Sequence, residues 1–180
     1  PRGVVFPQFN VQSHISDACE YIPGEKVYLW YDPGYNHPCA LEVAHVLNGH
    51  VRVFDEIYGS QWLIDDVIDM ALARAWWKEE KHGVIDISGT YHLGQQTPAS
   101  TIWQNRTGLY FYSNKVKINE GSERLAVLLK PDPISGLPRI QWNSRCRGIL
   151  SELGAFPNPI TNLTQVYKWK LDKENNIVGA

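Results

Sequence analysis

Two aspartates, Asp32 and Asp86, stand in matching positions along the chain. Asp32 follows the apolar run 27–31 and precedes a Pro-Gly pair, and Asp86 lies in the run 84–87, which precedes a Ser-Gly pair. A short run that is apolar on both faces is typical of a strand in the middle of a sheet. An aspartate at the end of such a strand is either a turn residue or one arm of an acidic site.

The elements around these residues bear on that choice. Strand-like runs predict strands over 26–32, 39–47 and 50–57, and Asn48-Gly49 is a strong hairpin signal between the last two. A helical period from Ser60 to about His82 predicts a crossover helix before the fourth strand. A strand reached through a helix is normally parallel to its neighbour. If strands one and four are adjacent, both aspartates lie at one sheet edge.

The remaining segments complete an α/β pattern. They predict a short helix near 98–105, a strand at 109–112, a helix at 120–130, an extended piece at 139–142, a helix at 145–153 and a strand at 166–171. The predicted fold class is therefore α/β. It is a mixed sheet, with an antiparallel three-strand meander and parallel strands, flanked by helices.

The composition of the chain argues against several classes of protein. The chain has 180 residues, 43% of them hydrophobic, and a net charge of −2. It has the size of one domain and no apolar run of membrane-spanning length, so no membrane partner is predicted. Its three cysteines show neither zinc spacing nor a disulfide framework. A nucleic-acid partner would have to bind a local basic patch. No phosphate-binding loop is present, so ATP hydrolysis is not expected.

A pair of neighbouring carboxylates suggests metal chemistry. Two like charges side by side are costly unless one is protonated or a cation lies between them. Carboxylate oxygens suit Mg²⁺ or Mn²⁺. Two such ions can stabilise the attacking and the leaving oxygen in phosphodiester hydrolysis, and a third acid would usually complete the site. Asp55 and Glu56 close strand three, which we place at the opposite edge, and we interpret them as capping or surface charges.

Several polar residues are candidates for supporting roles. His37 lies in the turn beside Asp32 and His92 in the loop after Asp86, where each is either an auxiliary group at a phosphate or water, or part of a polar turn. Basic residues that could contact DNA phosphates, or simply be solvated, are Arg139, Arg145, Arg147, Lys115 and Lys117.

The order hairpin, helix, strand, with these acids, resembles an RNase H-like nuclease. More specifically, the chain resembles the C-terminal nuclease domain of the large terminase subunits of tailed bacteriophages, over essentially its whole length. The segments that carry the resemblance are Trp30–Gly34, Pro38–Leu41, Phe54–Tyr58, Arg145–Leu153, Val166–Trp169, and Val5–Phe9 with His14.

The resemblance implies a metal-dependent endonuclease that cuts concatemeric viral DNA during genome packaging. It implies that Asp32 bridges two Mg²⁺ or Mn²⁺ ions and that Asp86 is the second ligand. The family's third acid lies on a C-terminal helix, which would fall beyond residue 180. Asp172 and Glu174 lie in the tail, but their setting does not match that motif.

The resemblance also implies domains and partners. Residues 1–24 would be a linker arm from a missing upstream ATPase domain, and residues 25–180 a nuclease domain truncated at its C-terminus. The implied partners are double-stranded DNA, that ATPase domain, the portal and the small terminase subunit, in the host cytoplasm. Two alternatives stay open: a cellular RNase H or Holliday-junction resolvase, and a non-catalytic, aromatic-rich binding module whose aspartates only make turns.

Overall fold

A six-stranded mixed sheet forms the centre of the protein. The computed structural model describes residues 6–91, 97–155, 170–171 and 177–179. In chain order the strands of this sheet are β1 (Val27–Asp32), β2 (Cys39–Leu47), β3 (His50–Gly59), β4 (Lys81–Ile85), β5 (Phe111–Tyr112) and β6 (Ile140–Trp142). Their spatial order is β5-β4-β1-β2-β3-β6. Strands β1, β2 and β3 pair antiparallel, and the β1–β4, β4–β5 and β3–β6 pairs are parallel. The predicted mixed sheet is confirmed.

Helices cover both faces of this sheet. They are α1 (Val11–His14), α2 (Ile64–Leu72), α3 (Ala99–Thr107), α4 (Ile118–Leu128) and α5 (Arg147–Glu152). On the first face, α2 and α3 pack over a core that contains Leu29, Tyr31 and Trp103. On the second face, α4 and α5 pack over a smaller core around Trp142 and Leu150. Each such fully buried side chain contributes about 1.5–3 kcal/mol through burial.

The crossover between β3 and β4 differs from the prediction. Helix α2 begins at Ile64 rather than at Ser60, because the Asp66 carboxylate accepts a hydrogen bond from the Leu63 N–H and caps the helix there. It ends at Leu72, and a 3₁₀ turn over Ala75–Lys78 follows. Strand β4 then begins at Lys81, so the predicted helix end at residues 82–83 is wrong.

Gly83 explains why the local signal failed. A Cβ at this glycine would lie 2.6 Å from Cδ1 of Phe111, on the neighbouring strand β5. The glycine is therefore needed for close strand packing and does not terminate a helix.

The two ends of the described chain lie outside the main sheet. The arm before β1 packs Phe6, Phe9 and Ile15 against the second core. Of the strand predicted at 166–171, only Lys170–Leu171 (β7) falls within the described residues, and it pairs antiparallel with Ile177–Gly179 (β8). No helix in the described ranges is long and apolar enough to cross a membrane.

Candidate metal centre

Asp32 and Asp86 lie side by side at one edge of the sheet. The last parallel pair of β1 and β4 is Tyr31 with Ile85, and the Asp86 N–H continues the ladder by donating to the Tyr31 carbonyl oxygen at 2.9 Å. Adjacent strands are about 4.8 Å apart, so the two backbones carry their carboxylates as close neighbours. The predicted juxtaposition is confirmed, and the role of the pair as metal ligands stays a prediction.

The turns that follow the two aspartates pack against each other. Pro33 ends β1, since it has no N–H for the ladder. At Gly89, in the loop after Asp86, a Cβ would lie 2.9 Å from Cγ of Pro33 and 2.5 Å from Cδ1 of Ile85. Only a residue without a side chain allows this approach, so the glycine that follows Asp86 positions one acidic turn on the other.

The alternation of each strand determines which face the acids occupy. Tyr31 and Ile85 are buried in the first core, so their neighbours Asp32 and Asp86 are placed on the second face. Residues directly opposite on antiparallel strands share a face. One row across the sheet therefore consists of Asp86, Asp32, Ala40 and Tyr58, and the next of Val84, Trp30, Glu42 and Glu56.

The environment of the pair disfavours two negative charges. The pKa of Asp32 is raised to about 6, because partial burial penalises its charged form and the Asp86 charge adds to that penalty. Asp86 uses one carboxylate oxygen to accept a hydrogen bond from the Ser88 N–H at 2.8 Å. Asp86 is thus both a turn residue and a member of an acidic pair. The two roles that the sequence suggested for these aspartates therefore do not exclude each other.

These residues fit a divalent cation. Two oxygen donors from adjacent strands repel each other, and a cation between them removes that repulsion. Within the residues that the structure describes, no group of three or more His, Cys, Asp or Glu side chains could hold a metal ion. The pair is therefore a partial site, and the third acid predicted beyond residue 180 lies outside the described residues.

A second group of acids lies on the same face, and sequence reasoning missed it. Glu42 and Glu56 are opposite each other on β2 and β3, and Glu152 is the last residue of α5 above them. The prediction that strand three ends at the opposite edge is wrong. Two hairpin reversals return β3 to the direction of β1, so Glu56 and Tyr58 approach the same edge as Asp32.

Glu56 attaches α5 to the sheet. Its carboxylate accepts hydrogen bonds from the N–H groups of Gly148 at 2.8 Å and Ile149 at 2.7 Å, in the first turn of the helix. Burial raises the pKa of Glu56, and these two N–H groups oppose that rise. Of the two roles expected for Glu56, capping or surface charge, the structure shows capping, at the first turn of α5 and not at the end of strand three. Asp55 instead accepts a hydrogen bond from the Trp76 indole N–H and pairs with Arg74.

Glu42 is satisfied only as a neutral acid. Both of its carboxylate oxygens are buried, and neither accepts a hydrogen bond from a described N–H or O–H group. Burial first, and then the neighbouring Glu56 charge, raises the pKa of Glu42 well above its usual range. Protonation of Glu42 removes one of the two like charges and provides an O–H that can donate to the Glu56 carboxylate.

The structure separates the predicted supporting residues. Lys115 and Lys117 are exposed in the segment after β5, and because β5 runs parallel to β4, this segment leaves the sheet at the edge of the acidic pair. His37 is exposed in the turn after Asp32, and His92 lies outside the described residues.

The three arginines lie at different distances from the acidic pair. Arg139 pairs with Asp132 at 3.0 Å. It precedes β6 and lies beside the start of β3, roughly 20 Å along the strands from the end of the sheet that carries Asp32 and Asp86. Arg145 pairs with Glu20, and Arg147 begins α5. The structure does not bring Arg139 to the acidic pair, and the DNA-contact roles of all these basic residues stay predictions.

Comparison with solved structures identifies the fold. The nuclease domain of the P22 large terminase aligns with 99% of this chain and 85% of its own, at 14% identity and a TM-score of 0.67. The fold is that of a large terminase nuclease domain. The predicted mixed sheet flanked by helices matches this nuclease-domain fold. No protein-family model matches the chain, and no curated protein matches its sequence.

Two further terminases share this fold. A longer large terminase, from a thermophilic bacteriophage, aligns with 86% of this chain at 16% identity and a TM-score of 0.65, and this chain spans 37% of its length. The large terminase nuclease of the thermophilic phage G20c aligns with 98% of this chain and 86% of its own, at 15% identity. It holds cobalt in one structure, with a TM-score of 0.57, and magnesium in another, with a TM-score of 0.55.

Proposed function

We propose that this chain is a metal-dependent endonuclease domain that cuts double-stranded viral DNA during genome packaging. The observation that carries the proposal is the acidic pair at the ends of β1 and β4, in a terminase nuclease fold. Asp32 and Asp86 would hold Mg²⁺ or Mn²⁺, and the resemblance assigns two ions to a complete site, with its third acid beyond residue 180. The bound metal in the G20c structures supports this assignment.

The chain's own residues have distinct tasks in this reaction. Bound cations supply charge stabilisation and ease deprotonation of water when present. The negative charges of Asp32 and Asp86 would hold a cation at this end of the sheet, and the phosphodiester, itself an anion, would approach them only with that cation in place. Lys115 and Lys117 would neutralise neighbouring phosphates. Water attacks phosphorus as the bond to the leaving 3′ oxygen breaks, and no side chain becomes covalently bound.

The proposed setting follows the same likeness. The longer large terminase has also been determined in complex with ADP, and this chain aligns with 37% of its length. We therefore place an ATPase domain upstream of the arm at residues 1–24. The portal and the small terminase subunit are proposed partners, and the host cytoplasm is the proposed location.

Plasmid cleavage with Mg²⁺ or Mn²⁺ tests this proposal. Asp32→Asn and Asp86→Asn should each lower the rate about a hundredfold or more, because several kcal/mol of transition-state stabilisation would be lost. Asp69→Asn is the matched control, since Asp69 pairs with Arg106 on the first face, away from the pair. Equal cleavage by the parent and both site variants would refute the assignment. Faster cleavage of an RNA–DNA hybrid or a four-way junction than of linear duplex would instead indicate an RNase H or a resolvase.

A further inference from the structure

The carboxylate of Glu152 is fixed by a hydrogen bond, and the proposed function gives it no role. It is the last residue of α5, and its Oε1 accepts a hydrogen bond from the Tyr58 hydroxyl at 2.9 Å. The residue is half-buried, so one side of it remains open to solvent. A half-buried carboxylate whose orientation is fixed by a tyrosine is prepared to interact with a second group.

The register of the sheet directs this carboxylate toward the acidic pair. Tyr58 lies in the same row as Asp32, two strands away, which is about 10 Å between their backbones. The residue between them is Ala40, whose side chain is too small to separate them. Glu152, bound to Tyr58, is thus separated from Asp32 in this row only by a small side chain.

The position of α5 is itself tightly determined. A Cβ at Gly148 would lie 2.1 Å from Cγ of Tyr58, so the helix rests directly on the tyrosine ring. Glu56 holds the first turn of α5 through two N–H groups, and the buried Glu42 lies beneath it. Helix α5 is thus held at its first turn by packing and hydrogen bonds, and the Glu152 carboxylate at its last residue by the Tyr58 hydroxyl.

The negative charges around Glu152 also support a place for this residue near the acidic pair. Burial raises the pKa of Glu152, and the charges of Glu56 and Asp32 add to this effect. The Tyr58 hydrogen bond acts in the opposite direction. Asp32 is thus among the negative charges that raise the pKa of Glu152, which agrees with the short span across Ala40. A hydrated cation between the two carboxylates would turn this repulsion into attraction.

We propose that Glu152 is a further acid of the metal centre, which acts through water. Its carboxylate accepts hydrogen bonds from water molecules that hydrate the cation held by Asp32 and Asp86. The interaction is indirect, because no three-membered ligand group exists within the described residues. Glu152 is therefore a positioning residue, held by Tyr58. This inference rests on the proposed function.

Calorimetric titration of the metal-free protein with Mn²⁺ tests the inference. Glu152→Gln should weaken Mn²⁺ binding about tenfold, the lower end of the range for groups that support metal ligands. Tyr58→Phe should weaken it less, since Glu152 keeps its charge and loses only its orientation. Glu123→Gln, at an exposed position on α4, is the matched control for the loss of one charge and should bind as the parent does.

Thermal unfolding separates a role in metal binding from a structural role. Without metal, Glu152→Gln should unfold at the parent temperature or above it, because Gln can still accept the Tyr58 hydrogen bond and removes a repelling charge. Saturating Mn²⁺ should raise the melting temperature of the variant by less than it raises that of the parent. A melting temperature lowered equally with and without Mn²⁺ would show a structural role and overturn the inference.

Asp32→Asn separates a failure of the inference about Glu152 from a failure of the proposed function. If Asp32→Asn loses Mn²⁺ binding and Glu152→Gln binds like the parent, this inference fails and the proposed function stands. If Asp32→Asn binds Mn²⁺ like the parent, the proposed function fails together with the inference.

Discussion

Two pairs of carboxylates lie on the same face of one sheet, and they differ in exposure. Asp32 and Asp86 are exposed at the ends of β1 and β4, whereas the carboxylate oxygens of Glu42 are buried against Glu56 beneath α5. Both pairs must resolve the repulsion of two like charges. The open pair is accessible to a hydrated cation, and the covered pair is satisfied by one shared proton. Solvent access, rather than residue type, therefore separates a candidate metal site from a structural contact.

The largest expected effect distinguishes the two pairs by activity. Asp32→Asn should lower plasmid cleavage about a hundredfold or more, because the charge that binds the cation is lost. Glu42→Gln should cleave at the parent rate, since its amide replaces the neutral acid and still donates to Glu56. Initial cleavage rates at saturating Mg²⁺ measure both. A similar loss in the two variants would remove the distinction between the pairs.

A second prediction concerns the attachment of α5. Glu56→Ala removes two charge-assisted hydrogen bonds to the Gly148 and Ile149 N–H groups and should lower the free energy of unfolding by about 2–3 kcal/mol. Denaturant titration measures this change. Asp86→Ala is the comparison at the open pair, where one exposed hydrogen bond to Ser88 is lost and a smaller effect is expected. Equal destabilisation would contradict the structural role assigned to Glu56.

A third prediction uses the pH dependence of the open pair. Because the pKa of Asp32 is raised to about 6, protons should compete with Mn²⁺ below that pH. Binding should weaken by about tenfold for each further pH unit, since one proton is released per cation bound at this residue. Calorimetry between pH 5 and 7.5 measures this dependence, and Glu42→Gln should follow the parent curve. A parent curve that stays flat through pH 6 would argue against Asp32 as a ligand.

The smallest effect concerns the covered pair. The pKa of Glu42 is higher in the folded protein than in the unfolded chain. Its stabilising contribution is therefore complete below the unfolded pKa and is lost as pH rises through the folded pKa. Glu42→Gln carries no such proton, so its unfolding free energy should rise relative to that of the parent as the pH increases from 5 to 8. A constant difference across that range would show that Glu42 does not hold a proton.

The contrast between the two pairs also explains how far the sequence could predict the site. Asp32 and Asp86 were predictable, since each follows a local strand pattern and the parallel crossover rule brings the two together. The contact of Glu42 and Glu56 with α5 depends on the register of two strands and on a helix almost a hundred residues later. Local periodicity carries no information about that docking. The direction of β3, in contrast, could have been predicted from the sequence by counting the two hairpin reversals between β1 and β3.

The crossover to β4 shows a second reason for failure. His82-Gly83 has the local form of a helix end, but packing with Phe111 places both residues in a strand. Tertiary contacts there override a local signal. The same holds for Ser60, a good capping residue that is not used because Asp66 caps the helix from inside its first turn.

The packing of Gly89 on Pro33 has a consequence for the energetics of binding. Because this contact and the backbone ladder set the spacing of Asp32 and Asp86, that spacing is determined before any ion arrives. The site is preorganised, so binding does not have to order the two strand ends and its entropic cost is small. Affinity should then depend mainly on charge and hydration, and substitutions of Gly89 should weaken binding without altering a single ligand.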